Sequence, residues 1–160
     1  MKRLQIAAGN WKMNNTYDEA IDLTKVLCEG DRGKNALTIL GVPFPYLKPL
    51  ADMVDSFKGI EIAAQNCSNQ DSGAFTGDTS VGMIKSVGVK YVILGHSERR
   101  EYYAESDQLI SEKLAKVYNA GLTPIFCCGE QLEERQAEKH FEVVKTQISD
   151  SVFHLSADEI

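Results

Sequence analysis

Lys12 and His96 are the two residues whose types and placement suit chemistry on a small anion. Each follows an apolar run: Ala8-Gly9-Asn10-Trp11 precedes the lysine and Leu94-Gly95 precedes the histidine. An ammonium group stabilises an anionic substrate or an enediolate, and an imidazole can donate a hydrogen bond to a carbonyl oxygen as negative charge develops there. Neither residue type is a favoured helix cap, so capping alone does not explain them. We predict a functional site here, against the simpler interpretation of an exposed lysine and a structural histidine.

Glu98 is the charged residue that we expect to complete this pair. If Ser97–Glu101 opens a helix, His96 lies near the positive end of the helix dipole. That potential disfavours the imidazolium form, so we expect a neutral ring at pH 7. Glu98 is then placed to pair with Lys12 and to hold its ammonium group in the site.

Five short apolar runs predict the strands that position these residues. The runs are nearly continuous rather than alternating, which is typical of strands buried on both faces of a parallel sheet. They are Leu4–Ala8, Leu37–Val42, Ile60–Gln65, Tyr91–Leu94 and Leu122–Cys128. In parallel α/β folds the carboxyl ends of the strands lie on one side, where ligands bind. The strand ends should therefore bring Lys12 and His96 together.

Amphipathic segments between the strands predict helices. Thr16 and Glu19 form a capping box, and the segment that follows repeats apolar residues at a period near 3.6. A clear later stripe consists of Ala137, Phe141, Val144, Ile148 and Val152. Five strand–helix units in a row, about 30 residues apart, predict a parallel sheet with right-handed crossovers. No linker interrupts them, so we expect one domain over residues 1–160.

Composition excludes several classes of function. The chain has 160 residues and a net charge of −6, with acids and bases interspersed, so no basic stripe is available for nucleic acid. No apolar run approaches the roughly 20 residues of a membrane span, and the start has no signal-peptide pattern. The spacing of the cysteines and histidines fits neither a disulfide framework nor a zinc site. We expect a cytoplasmic protein with no metal site.

The connection Asn66–Thr79 is long for a loop inside a compact domain, and such loops are usually functional. Within it, Gly73–Gly77 carries a single aromatic residue between two glycines. An exposed phenylalanine at a loop tip favours a pocket on another protein chain. We predict that Phe75, Thr76 and Gly77 insert into a second subunit; the alternative is that the loop packs onto its own barrel.

Five collinear segments resemble the triosephosphate isomerase family across the whole chain. They are Gly9-Asn-Trp-Lys-Met13, Ala64-Gln-Asn66, Gly73-Ala-Phe-Thr-Gly77, Leu94-Gly-His-Ser-Glu-Arg-Arg100 and Pro124-Ile-Phe-Cys-Cys-Gly-Glu130. The resemblance implies a (β/α)₈ TIM barrel, interconversion of dihydroxyacetone phosphate and glyceraldehyde 3-phosphate, no cofactor, and a homodimer. It also implies a place in glycolysis and gluconeogenesis.

The resemblance further implies roles for individual residues. It assigns substrate binding to Asn10 and Lys12, makes His96 the electrophile, and links Glu98 to the lysine. A neutral histidine at a helix N-terminus is a described property of this family, so our helix-dipole reasoning is not independent of it. The chain departs from the family at Glu101-Tyr-Tyr-Ala-Glu105, where a phenylalanine and a glycine are usual. We expect this departure to alter helix packing beneath His96 and to leave the charged residues in place.

The sequence supplies five strands, whereas a complete barrel needs eight strands and about 250 residues. The resemblance places the general base after a sixth strand and further phosphate-binding loops after strands seven and eight. We therefore predict an incomplete barrel without strands six to eight and without isomerase activity of its own. Glu98 is the only nearby carboxylate, and pairing with a lysine weakens a carboxylate as a base. Two unpaired edges should make the piece aggregate, self-associate or remain partly molten.

Two other functions compete with the isomerase. A non-catalytic flavodoxin-like module that binds a partner through the 66–79 loop would suit five strands by count. It predicts no role for Lys12 and His96. A cysteine hydrolase using Cys127 and His96 is chemically conceivable, but no orienting group or nucleophile turn supports it.

Overall fold

The computed structural model describes residues 4–31 and 36–156. Its strands are β1 Gln5–Asn10, β2 Ala36–Val42, β3 Ile60–Ala64, β4 Tyr91–Leu94 and β5 Thr123–Phe126. Its helices are α1 Tyr17–Glu29, α2 Leu47–Val54, α3 Val81–Ser86, α4 Ser97–Tyr103, α5 Asp107–Asn119, α6 Leu132–Gln136 and α7 His140–Val152. A 3₁₀ turn, Phe44–Tyr46, leads into α2. All five predicted strands are present; β4 has the predicted bounds, and no end of the other four differs by more than two residues.

The sheet is parallel, and its strands follow one another in chain order, β1-β2-β3-β4-β5. Crossovers between parallel strands are right-handed, so consecutive pairing places every helix on the same face of the sheet. The sheet curls away from that face into a half-barrel, which confirms the incomplete barrel that the family resemblance implies. The flavodoxin-like alternative is wrong, because that fold requires the order 2-1-3-4-5, with helices on both faces.

Most of the core lies between the convex face of the sheet and the helices. Its largest fully buried members include Leu50 and Ile84 from the helices and Ile62 and Leu94 from the strands. A second, smaller cluster lies on the concave face, where Ile39, Ala63 and Ile93 are buried against Leu37, Tyr91, Ile125 and Cys127. Residues two apart along a strand share a face, so the same strands that pack on the helices also line the interior of the half-barrel.

Helix α1 follows the predicted pattern. Its N-terminus has the full capping box, in which the Glu19 carboxylate accepts the backbone N–H of Thr16 at 2.7 Å. Ala20, Thr24 and Cys28 form its buried face. Local capping and the spacing of small and apolar residues therefore specify this helix before any tertiary contact is considered.

The predicted stripe from Ala137 to Val152 is wrong at its amino-terminal end. Ala137 is the C-cap residue that follows α6, and Glu138 then adopts a left-handed conformation with φ of 59°. The chain restarts as α7 at His140, which leaves Phe141 81% exposed. The break rotates the second helix relative to the first, so one continuous stripe cannot be formed.

Both outer strands have a neighbour on one side only within the described residues, and all six residues of β1 are exposed. Residues 4–31 and 36–156 contain no helix with the length and apolar character needed to cross a membrane.

Candidate active site

The carboxyl ends of the strands bring together Asn10, Lys12, His96 and Glu98, as the sequence predicts. These residues line a cleft of about 470 Å³, together with the apolar Met13, Pro43, Phe44, Pro45, Tyr102 and Tyr103 and the polar Gln65, Asn66 and Arg99. We call this space the lysine cleft. Among the described residues, Glu98 is the only carboxylate in its lining, against two cations. The cleft therefore suits an anionic ligand.

Lys12 and Glu98 form an ion pair, with 2.7 Å between Lys12 Nζ and Glu98 Oε1, which confirms the predicted pairing. The hydrogen bond between them raises the pKa of Lys12 and lowers the pKa of Glu98. Lys12 is therefore charged throughout the neutral range. Glu98 is held as a carboxylate, which makes it a weak proton acceptor.

His96 is the N-cap of α4, and its Nδ1 accepts the backbone N–H of Glu98 at 3.3 Å. His96 therefore caps this helix, contrary to the prediction that capping does not explain it, because an unprotonated ring nitrogen can accept a hydrogen bond as an oxygen does. That hydrogen bond requires a lone pair on Nδ1, so the proton of a neutral ring lies on Nε2. Nδ1 also lies 3.5 Å from Glu98 Oε2, a contact that would become attractive if the ring were protonated.

Gly95 is the residue that allows β4 to end directly on His96. Its φ is 76°, in the left-handed region, and a Cβ atom there would lie 2.8 Å from the Cys127 carbonyl oxygen of the neighbouring strand end. Both the backbone conformation and the close approach exclude a larger residue. The glycine before the histidine is thus part of how the site is positioned.

A larger cleft of about 850 Å³ lies on the other side of His96, beside β5. Among the described residues, its lining contains the carboxylates of Glu101, Glu130, Glu133 and Glu134 and one arginine, Arg100, so we call it the acidic cleft. Arg100 donates to the Gly95 carbonyl oxygen and to Asp107. Size alone would favour this cleft, but four carboxylates repel an anion, and the chemistry favours the lysine cleft.

Cys127 does not have the properties of a nucleophile. Burial raises the pKa of its thiol, whereas reactive cysteines have a lowered pKa. Burial likewise raises the pKa of Cys67 to about 12. These shifts argue against the cysteine hydrolase. The described residues contain no group of three or more histidine, cysteine, aspartate or glutamate side chains arranged to hold a metal.

The 66–79 loop has no helix or strand, as predicted, but its base is fixed to its own chain. Asn69 donates to Glu112 at 2.8 Å, Lys116 pairs with Asp71, and the Ser68 hydroxyl donates to Asp78 at 2.8 Å. The tip is different: Phe75 packs over Gly73, remains 46% exposed, and is followed by exposed Thr76 and Gly77. The loop therefore packs onto its own barrel at the base and presents an aromatic ring at the tip.

Two groups of residues near the site were missed by sequence reasoning. Gln65 Nε2 lies within hydrogen-bond distance of three oxygens, those of the Asn10 side chain and of the Lys12 and Gly41 backbones. Beneath α4, Glu105 accepts from Arg99 at 2.7 Å and from Lys113 at 2.6 Å, and Lys113 also donates to Asn66 at 3.0 Å. The only feature of the sequence that indicates Gln65 is its position directly after a strand. Nothing in the local pattern distinguishes Glu105 or Lys113 from surface charges.

These features define a half-barrel of parallel β/α units with a candidate site at the carboxyl ends of its strands. A family model described as triosephosphate isomerase matches residues 5–160, so the chain belongs to the triosephosphate isomerase family. A triosephosphate isomerase of Porphyromonas gingivalis is 48% identical over 155 residues, which are 96% of this chain and 61% of that protein. One of Bacteroides fragilis is 48% identical over 159 residues, or 98% of this chain and 62% of that protein. A triosephosphate isomerase of Cytophaga hutchinsonii is 41% identical over 160 residues, which cover 98% of this chain and 63% of that protein.

The chain thus spans between 61% and 63% of the length of these three relatives. The matched part includes every residue of the lysine cleft, since the family model covers positions 5–160.

Proposed function

We propose that the chain carries the electrophilic half of a triosephosphate isomerase site. The substrates are dihydroxyacetone phosphate and glyceraldehyde 3-phosphate, and Asn10 and Lys12 bind them. The observation that carries this proposal is the juxtaposition of the Lys12–Glu98 ion pair with the helix-capping His96 in one cleft. The same family implies a role in glycolysis and gluconeogenesis in the cytoplasm.

The isomerisation moves a proton between two adjacent carbons of the triose, and negative charge develops on the carbonyl oxygen as the enediolate forms. Lys12 contributes a full positive charge to the cleft. His96 contributes its Nε2–H, which has no hydrogen-bond partner within the described part of the chain, while Nδ1 is occupied by the Glu98 amide. Donors fixed before the reaction stabilise such an oxyanion without further reorganisation. Glu98 holds the ammonium group in place.

Proton abstraction needs a base, and Glu98 is unsuited to that role because its pKa is lowered by Lys12. It is the only carboxylate among the described residues that line the lysine cleft. We propose that the 160-residue polypeptide, a single partial barrel of five strand–helix units, binds the substrate but does not turn it over by itself.

Conversion of dihydroxyacetone phosphate by the purified chain tests this proposal, with a His96→Gln variant measured in parallel. We expect no turnover by either protein. Turnover that disappears in His96→Gln would show that a base is present and would overturn the proposed inactivity. Equal turnover by both would identify a contaminating host isomerase, because the substitution removes the electrophile.

We also propose a homodimer in which the loop tip of one copy packs against the apolar rim of the lysine cleft of the other. The cleft rim is unusually apolar for a surface, with Met13 97% exposed and Tyr102 and Tyr103 mostly exposed. Exposed Phe75 is the complementary group. Analytical ultracentrifugation should show a dimer for the parent chain and a monomer for Phe75→Ser. Phe141→Ser, at an exposed phenylalanine on α7, is the control that should stay dimeric; loss of the dimer in both would contradict the loop assignment.

A further inference from the structure

Gln65 follows directly after β3, and its side chain reaches three segments of the chain. Nε2 lies 2.9 Å from the Lys12 carbonyl oxygen, 2.9 Å from the Gly41 carbonyl oxygen and 3.2 Å from Asn10 Oδ1. These acceptors belong to the loop after β1, to β2 and to the end of β1. One half-buried amide group therefore joins three neighbouring strand ends.

The orientation of this amide follows from its neighbours. Backbone carbonyl oxygens are acceptors only, and Asn10 Oδ1 already accepts the Lys12 N–H at 2.9 Å. Three acceptors around one atom require the nitrogen there, because the oxygen of a reversed amide would face three oxygens. The Gln65 NH₂ group is thus the donor to the peptide that follows Lys12.

Lys12 is in a conformation that needs such support. Its φ is 54°, in the left-handed region that residues with a Cβ atom rarely adopt. Strained residues persist only where the surrounding structure holds them. Here the backbone N–H of Lys12 donates to Asn10 and its backbone carbonyl oxygen accepts from Gln65, so both backbone polar groups of Lys12 are held by hydrogen bonds.

We propose that Gln65 is a positioning residue that holds Lys12 in this left-handed conformation, and thereby directs the ammonium group to Glu98 and the ligand. The inference rests on the proposed function, because the direction of the lysine matters only if the cleft binds a triose phosphate. Gln65 itself acts on the backbone of Lys12 and not on the reacting atoms.

Gln147 supplies a matched control, because it anchors a different strand end in the same manner. Its amide accepts the Gly129 N–H at 2.9 Å and donates to the Gly129 carbonyl oxygen at 3.1 Å. Replacing Gln147 by methionine removes two hydrogen bonds to Gly129 and none to Lys12. A merely structural loss should therefore affect Gln147→Met and Gln65→Met alike, whereas a positioning effect is confined to Gln65.

The first measurement is the titration of Glu98 by carbon-13 NMR of the carboxyl group in the parent chain, Gln65→Met and Gln147→Met. We expect the midpoint of Glu98 to rise toward its ordinary value in Gln65→Met and to stay in place in Gln147→Met. Gln65→Asn, which keeps the amide but shortens its reach, should give an intermediate midpoint and guards against a methionine variant that fails to fold. An unchanged Glu98 midpoint in folded Gln65→Met or Gln65→Asn would overturn the proposal.

The second measurement is the affinity for dihydroxyacetone phosphate, from chemical-shift changes in the same variants. We expect Gln65→Met to bind about tenfold more weakly, the effect of losing roughly one well-formed hydrogen bond. If the parent chain binds no dihydroxyacetone phosphate, the proposed function fails, while the Glu98 titration still decides whether Gln65 positions Lys12. Equal affinities with a shifted Glu98 midpoint would overturn the link between position and binding.

Discussion

The lysine cleft and the acidic cleft lie on either side of His96 and share their general construction, but they differ in charge and in backbone strain. Each lies at a strand end, and each is anchored by a glutamine side chain, Gln65 or Gln147. The lysine cleft contains a cation held in a left-handed conformation and paired at 2.7 Å, whereas the acidic cleft is lined by four glutamates. A polar strand end is therefore not sufficient evidence of a binding site. The sign of the charge and the strain around it distinguish the two.

The largest expected effect concerns the buried charges beneath the lysine cleft. Glu105 and Lys113 are 5% and 4% exposed, and Glu105 is the shared partner of Lys113 and Arg99. Glu105→Gln leaves two cations without a countercharge and should lower the free energy of unfolding by about 3 kcal/mol. Chemical denaturation measures this. Glu130→Gln, which alters an ion pair with the exposed Arg135 in the acidic cleft, should leave the unfolding free energy unchanged. Equal losses of unfolding free energy in Glu105→Gln and Glu130→Gln would contradict the expected difference between the buried and the exposed charges.

Lys12→Met should weaken the binding of dihydroxyacetone phosphate about 100-fold, because a charged hydrogen bond to the phosphate or the oxyanion is lost. Isothermal titration calorimetry measures the affinity. Arg135→Met removes a cation from α6, beside the acidic cleft, and should leave the affinity unchanged. A comparable loss in both variants would mean that net charge, rather than the position of Lys12, governs binding.

Three residues other than glycine and asparagine are left-handed in the described chain, and only one of them lies in the site: Lys12, Ala104 and Glu138. Ala104 is the C-cap residue that follows α4. Ala104→Gly and Glu138→Gly should each raise the free energy of unfolding by about 1 kcal/mol, because glycine relieves the strain. Lys12→Gly should relieve the same strain and weaken the binding of dihydroxyacetone phosphate as much as Lys12→Met does. Thermal and chemical unfolding, with binding measured in parallel, check these outcomes. A lower free energy of unfolding in Ala104→Gly would contradict the claim that the left-handed conformation of Ala104 is strained.

The smallest expected effect is a shift in the titration of Glu98. Its pKa is lowered by Lys12, so the ion pair contributes stability above the ordinary carboxyl value and loses that contribution as pH falls through the lowered value. Lys12→Met should raise the Glu98 midpoint toward the ordinary value. The pKa of Glu130 is also lowered, chiefly by a backbone hydrogen bond of its own, and its midpoint should not respond to Lys12→Met. Carbon-13 NMR resolves both carboxyl groups. A shift of the Glu130 midpoint together with that of Glu98 would contradict the claim that Lys12 acts on Glu98 alone.

The sequence predicts the strands, most helices and the pairing of Lys12 with Glu98, because apolar runs, caps and strand ends are local signals. It does not predict the position of Gln65 among three acceptors, because those acceptors belong to segments up to 55 positions away. The burial of Glu105 and Lys113 and the break at Glu138 were missed for the same reason. The local sequence around a charged residue in a helical segment is the same whether tertiary packing buries that residue or leaves it exposed to water.

The measurement that tests the central claim most directly is a nitrogen-15 chemical-shift titration of the labelled chain with dihydroxyacetone phosphate. We expect the largest changes at the amides of Lys12, His96 and Glu98, and their disappearance in Lys12→Met. Changes centred on Arg100 and Gly129 in the acidic cleft, or no changes at saturating ligand, would contradict the assignment of the lysine cleft as the site.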